Sequence, residues 1–496
     1  MSLEESLIIE PAASFESSEI DLAESSEKRL RDSVNGESIK LTPVVVPATA
    51  SVEVGSSDVT AGSWLERLTK TLSGGSVLRK SALALIDQGI VSGVNFLTIV
   101  LLRRTTSGSV ESAEHQLGLY QLGFSILLLA ACAQNSLIST PYAVFGNRLQ
   151  GNERKKYAGS TLIHQGILSA LIFGILLVVG GVLSTGWMES SFDGVAIALA
   201  GMIPFLLIRE FVRRVAFIHL QVVSALLLDL VVAALQLGGL LALKYSGHLT
   251  AVTTFCVMGG ACAVAGFAAL FLLRQHFTIG RINPWHDLRL SWSFGKWSFA
   301  AQVLYLGIAY SPPWMLAIFS GTEATGRFAV GMSLVMIANP LLIGLYNYLG
   351  PQAIYALNAD GLAALRRLTL RIAVIVTALV SLLYAVLILF GGTLLVAFFG
   401  AKLHGQEEVV SILALNMLAY AMSISAENGL TALNRPTAIF WSNASGLALI
   451  IVAGCFLIRS HGIVGAALSS LLGAIVAAGL KITWFYRATR DSTARN

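Results

Sequence analysis

The chain has 496 residues, of which 55% are hydrophobic and only 12% charged, with a formal net charge of +5. Soluble domains carry about 25% charged residues, so a water-soluble body of this length is excluded and lipid-facing surface accounts for the composition. The basic surplus sits in short segments between apolar runs, where it reports membrane topology and gives no ground for a nucleic-acid partner.

In chain order, residues 1–62 are acidic and Ser-rich, as in Glu16-Ser17-Ser18-Glu19 and Glu24-Ser25-Ser26-Glu27. Such a segment buries too little apolar area to offset chain ordering and is expected to be a disordered cytoplasmic tail. It lacks the basic start and apolar core of a signal peptide. Residues 63–80 place Trp64, Leu65, Leu68 and Leu72 among Arg67, Lys70, Arg79 and Lys80. That pattern predicts an amphipathic juxtamembrane segment lying on the membrane surface. A span needs about 20 mostly apolar residues. Runs of that kind predict spans near 81–102, 118–145, 158–183, 194–218, 222–243, 249–273, 295–319, 326–355, 370–399, 408–433, 436–458 and 463–486. Cys132, Cys256, Cys262 and Cys455 all fall in apolar runs without metal-ligand spacing, and read as small buried residues.

The connecting segments alternate in charge. One set holds Arg148, Arg154, Lys155 and Lys156, then Arg213 and Arg214, Arg274, Arg281 and Arg289, Arg366, Arg367 and Arg371, Arg435, and the tail 487–496. The other set is poor in Lys and Arg, with Arg103-Arg104 as its exception. Positive loops stay cytoplasmic, so both termini are expected inside and the number of spans even.

Two spans begin alike. Gly118-Leu119-Tyr120-Gln121-Leu122-Gly123-Phe124-Ser125 matches Gly326-Arg327-Phe328-Ala329-Val330-Gly331-Met332-Ser333, and each span ends near a proline, Pro141 or Pro351. Arg213–Leu220 and Gly429–Pro436 echo one another at a similar offset. The fold expected is an all-α polytopic membrane protein of about twelve transmembrane helices in two pseudo-symmetric six-helix bundles, residues 81–280 and 281–486, enclosing a cleft.

Charges inside spans are costly and usually face protein or water. In the fourth span Arg209 and Arg213 share one helix face, while Glu210 and Arg214, also four apart, are expected to neutralise each other. That leaves Arg209 and Arg213 as cations suited to a phosphate or pyrophosphate headgroup, with Lys296 and Arg327 as further headgroup candidates from the second half. Asp87 and Asp229 are candidates for ion coupling, by Na⁺ or H⁺, although Asp229 has a ready partner in an arginine of the fourth span. Glu427 is a weaker third candidate. Polar cavity candidates are Gln88, Asn95, Gln134, Asn135, Gln302 and Asn339, with aromatic surface from Tyr305, Tyr310, Trp314, Tyr346 and Tyr348 that suits sugar rings. Pro312-Pro313 and Pro340 are expected to kink or break the seventh and eighth spans. No metal site and no cofactor is expected. No Gly-rich run ends in Gly-Lys-Ser/Thr, so ATP is not the expected energy source.

The stretch from Asp87 through Arg104 followed by Gly118-Leu119-Tyr120 resembles the oligosaccharide flippase (polysaccharide exporter) family. So do Ala324-Thr325-Gly326-Arg327-Phe328-Ala329 with Pro340 and Pro351, and the closing Gly462-Ile463-Val464-Gly465-Ala466-Ala467-Leu468. That family belongs to the multidrug/oligosaccharidyl-lipid/polysaccharide exporter superfamily. The resemblance spans about residues 80–486 and rests on glycine spacing and hydropathy. It implies a non-enzymatic protein of the bacterial inner membrane that moves polyprenyl-pyrophosphate-linked glycan between leaflets by alternating access. It also implies polysaccharide assembly proteins as partners. The long acidic start departs from the family pattern. A multidrug and toxin extrusion transporter of the same fold is the nearest alternative. A membrane-embedded polymerase or glycosyltransferase is the alternative of another class.

Overall fold

The computed structural model describes residues 77–105, 110–187, 191–218, 221–278, 283–400 and 406–491. The tail expected over 1–62, and most of the juxtamembrane segment, lie outside the described residues. All described regular structure is helical. In hydrocarbon each backbone N–H and C=O must be satisfied within its own segment, and a helix does this locally.

The helices are α1 Val77–Thr105, α2 Val110–Gln134, α3 Thr140–Gly146, α4 Gly151–Val182, α5 Ser191–Ile218 and α6 Val222–Tyr245. They continue as α7 Ala251–Leu272, α8 Pro284–Val335, α9 Asn339–Phe399, α10 Glu407–Ala432 and α11 Pro436–Asp491. A π-turn at Asn135–Ser139 joins α2 to α3. α7 starts with a capping box in which the Thr250 hydroxyl accepts from Thr253 N and the Thr253 hydroxyl from Thr250 N.

Among the described residues nine helical stretches are long and apolar enough to cross a bilayer. The long helices are interrupted at Gly321 (φ 84°), Gly361 (φ 76°) and Gly462 (φ 54°). Only glycine adopts these left-handed values without strain. The expected break at Pro312-Pro313 is not where the chain turns, because α8 continues through both prolines and departs from helical geometry at Gly321. At Pro340 the expectation fits, since a 3-10 turn at Met336–Ala338 separates α8 from α9. α8 also starts at Pro284, well before the span boundary expected at 295.

α4 shows how these helices sort their faces. Leu171, Ile175, Val178 and Val182 are exposed, while Tyr157, Ser160, Thr161, His164 and Gln165 are buried. A polar face turned inward and an apolar face turned outward is the pattern of a helix solvated by lipid.

The two sequence-matched glycines meet. A Cβ on Gly118 would overlap the carbonyl of Thr322, and a Cβ on Gly326 would overlap the carbonyl of Glu114. The same offset separates Glu114 from Thr322 and Gly118 from Gly326, so the contact is reciprocal. Small residues let the backbones of α2 and α8 close to this distance. Trp314 Nε1 donates to Ser125 Oγ at 2.9 Å further along the same pair. Gly295 packs on the backbone of Ser136 in the π-turn.

Candidate functional site

The densest polar cluster joins α1, α5 and α6. Arg209, buried with its side chain 8% exposed, pairs with Glu210 and with Asp229. Arg213 Nε donates to Asp229 Oδ2 at 2.5 Å, and Arg213 also pairs with Asp87 and lies 3.8 Å from Glu210. Asp87 and Asp229 are almost fully buried, and their carboxyl groups lie against each other. Asp87 Oδ1 has no hydrogen-bond partner among the described residues. Above them Gln236 Nε2 donates to Thr98 Oγ1 at 3.1 Å, continuing the α1–α6 contact.

The pairing differs from the one expected. Glu210 makes no ion pair with Arg214, although its charge still reaches that guanidinium. It turns to Arg209 and Arg213, and Arg214 donates to Asn135 Oδ1 at 2.8 Å. Spacing on one helix allows Glu210–Arg214, but α1 and α6 bring two further carboxylates against the other face, and these draw Arg209 and Arg213 inward. Arg209 and Arg213 are therefore not the surplus cations of the cluster, because three carboxylates face two guanidiniums. Arg214 and Lys296 are the exposed cations here, and neither is in an ion pair among the described residues. Lys296 lies 5.8 Å from the ring centre of Trp297. Both flank the π-turn of α2, Arg214 through Asn135 and Lys296 through its neighbour Gly295.

Arg327 is elsewhere. Its Nε donates to Glu114 Oε2 at 2.6 Å, and Glu114, buried, also lies 3.6 Å from Arg103. About twenty helical residues of α2, or about 30 Å, separate Glu114 from Asn135, so Arg327 and Arg213 do not share one headgroup. Arg104 donates through Nε to the carbonyl of Phe398 at 2.7 Å and also to that of Ala397. The Arg103-Arg104 exception in the charge pattern thus reflects two arginines already engaged. Phe96 packs edge-on against Phe398, with ring centres 5.2 Å apart.

A second cluster lies in α8–α11. Lys481 Nζ donates to Glu427 Oε2 at 2.7 Å, both side chains largely buried. Tyr305 and Tyr420 have ring centres 6.5 Å apart, and Tyr346 lies within electrostatic reach of the same glutamate. Sequence reasoning gave Glu427 little weight and missed Lys481, a lone cation inside the last apolar run. Of the other cavity candidates, Gln134 Nε2 donates to the carbonyl of Leu207 at 2.6 Å and is fully buried. Gln88, Asn95 and Asn339 are half-buried, and Gln302 is exposed. A groove of about 560 Å³ between α9 and the start of α10, with Ile388, Leu389 and Glu407 on its wall, shares no residue with either cluster.

No family model matches the sequence, and no curated protein matches it. Solved structures do match. An inward-facing multidrug resistance MATE family transporter of the MOP superfamily superposes with TM-score 0.67 at 14% identity, covering 80% of this chain and 94% of that one. The chain has the fold of the MOP-superfamily transporters. A MOP transporter from Pyrococcus furiosus, described as having a binding pocket of reversed polarity, gives TM-score 0.61 at 15% identity over 83% of this chain and 95% of its own. The lipid II flippase MurJ, in an inward closed conformation, gives 0.57 at 12% identity over 80% and 86%. A multidrug resistance transporter and a lipid II flippase thus both resemble this chain in fold.

Proposed function

We propose that the chain is a flippase of the bacterial inner membrane that carries polyprenyl-pyrophosphate-linked glycan to the outer leaflet for polysaccharide export. Counting each glycine break as a turn between spans gives twelve spans, six per half, with both termini cytoplasmic. The two halves rock about the α2–α8 contact. Glu114, Arg103 and Arg327 latch the outer end while the inner end receives the lipid headgroup.

The observation that carries this reading is the pair of exposed cations at the π-turn, Arg214 and Lys296. A pyrophosphate is drawn to cations that no carboxylate already holds. Arg213, with its side chain 20% exposed, borders them. Energy comes from a proton taken up between Asp87 and Asp229, whose carboxyl groups touch beneath Arg213. Two carboxylates in contact suit one shared proton.

A second reading has its own support. Three carboxylates against two arginines in the first cluster would suit the organic cations exported by a multidrug transporter of the same fold. The experiment that separates them uses a deletion strain carrying the protein or the Arg214→Ala/Lys296→Ala variant. The flippase reading expects the deletion to lose surface glycan, and the variant to restore at least tenfold less than the wild type while inserting normally. Unchanged glycan with heightened sensitivity to cationic drugs would favour the exporter instead.

A further inference from the structure

We propose that Tyr305, Tyr346, Tyr420 and the Glu427–Lys481 pair form a carbohydrate subsite on the wall built by α8–α11. It is distinct from the Arg214–Lys296 headgroup position, and the inference rests on the flippase reading above.

Four helices converge here: Tyr305 on α8, Tyr346 on α9, Tyr420 and Glu427 on α10, and Lys481 on α11. Despite that enclosure Tyr305 remains 45% and Tyr346 38% exposed. Both rings therefore keep open surface beside the Glu427–Lys481 pair, which ties α10 to α11. The Tyr305 and Tyr420 rings meet at 50°, so two faces of one corner are aromatic. Sugar rings present C–H bonds to aromatic faces and hydroxyls to charged or polar groups at the edge. A few convergent polar groups in an aromatic pocket are the usual makings of a small-molecule site.

The ion pair decides the ligand class. Keeping Glu427 and Lys481 buried in a membrane helix bundle is costly, and an apolar pair of similar volume would hold α10 to α11 as well. An aromatic corner beside an unpaired carboxylate would take an organic cation. Here Lys481 already occupies the carboxylate and repels a second cation. The neutral pair offers no net attraction to pyrophosphate either. It leaves acceptor capacity on Glu427, the more exposed of the two, beside the tyrosine hydroxyls for hydroxyl or acetamido groups, which selects an uncharged polyol.

The test uses the full-length protein in lipid nanodiscs with two probes. One is farnesyl pyrophosphate. The other is the same lipid loaded with one sugar, drawn from glucose, galactose, N-acetylglucosamine and N-acetylgalactosamine. The Tyr305→Leu/Tyr420→Leu variant is expected to bind the best sugar-loaded probe about tenfold more weakly, while holding the bare lipid within twofold of wild type, which also shows that it is folded. Tyr305→Phe keeps the ring and most of the affinity. Equal loss for both probes, no loss for any sugar, or tyrosine-dependent binding of ethidium would overturn the subsite. Wild-type protein that binds neither lipid probe would overturn the flippase reading itself, before any variant is measured.

Discussion

Asp87, buried in the first apolar span, shares Arg213 with Asp229. A carboxylate in the first apolar span is conspicuous because bilayers exclude charge, and Asp229, Arg209 and Arg213 stand out for the same reason. Their convergence from α1, α5 and α6 is not legible, since spacing along one helix says nothing about which face a neighbouring helix fills. The Glu210–Arg214 expectation fails on that point. Lys481 escapes notice because its partner Glu427 lies on another helix, 54 residues away in sequence. If a proton moves through the Asp87–Asp229 contact, wild-type glycan transport into vesicles falls when an uncoupler collapses the gradient. Asp87→Asn transport should be at least tenfold slower and indifferent to the uncoupler. An Asp87→Asn protein as fast and as uncoupler-sensitive as wild type would remove the carboxylate from coupling.

At the scale of elements, hydropathy places the apolar runs and glycine spacing places the α2–α8 match. The spans expected near 295–319 and 326–355 fall on either side of the break at Gly321; what hydropathy does not convey is that a single glycine makes that break and that α8 starts as early as Pro284. A proline pair draws attention, yet in lipid neighbouring groups can satisfy the carbonyls it frees, so the helix passes through. The turn needs a left-handed residue, and glycine supplies it. The close approach of α2 and α8 gives a direct test. Gly118→Leu or Gly326→Leu forces a side chain into a partner's backbone carbonyl, an overpacking worth about 1–3 kcal/mol against the closed outer end. A cysteine at Ser125, in a background without native cysteines, should then react severalfold faster with a membrane-impermeant maleimide applied from outside. Unaltered reactivity would mean that the α2–α8 contact is not what closes this end.

For the whole molecule, a many-spanned helical membrane protein is readable from the succession of apolar runs, and the MOP-like fold agrees with that; the division into two bundles belongs to the proposal. Orientation rests on charge alternation and has a separate check. With native cysteines replaced, Ser246→Cys, in the turn between α6 and α7, is expected to label from outside intact cells. Asn434→Cys, between α10 and α11, should label only after the cells are opened. The reverse pattern would invert the assigned topology and, with it, the direction of transport.

The reciprocal meeting of Gly118 with Thr322 and of Gly326 with Glu114 resembles the seam of a homodimer, in which one surface patch faces its own copy. Here a single polypeptide carries both copies. Bulk added on one side of the seam has no matching recess on the other, so drift at position 118 is constrained by position 326, more than two hundred residues away, as tightly as by any sequence neighbour.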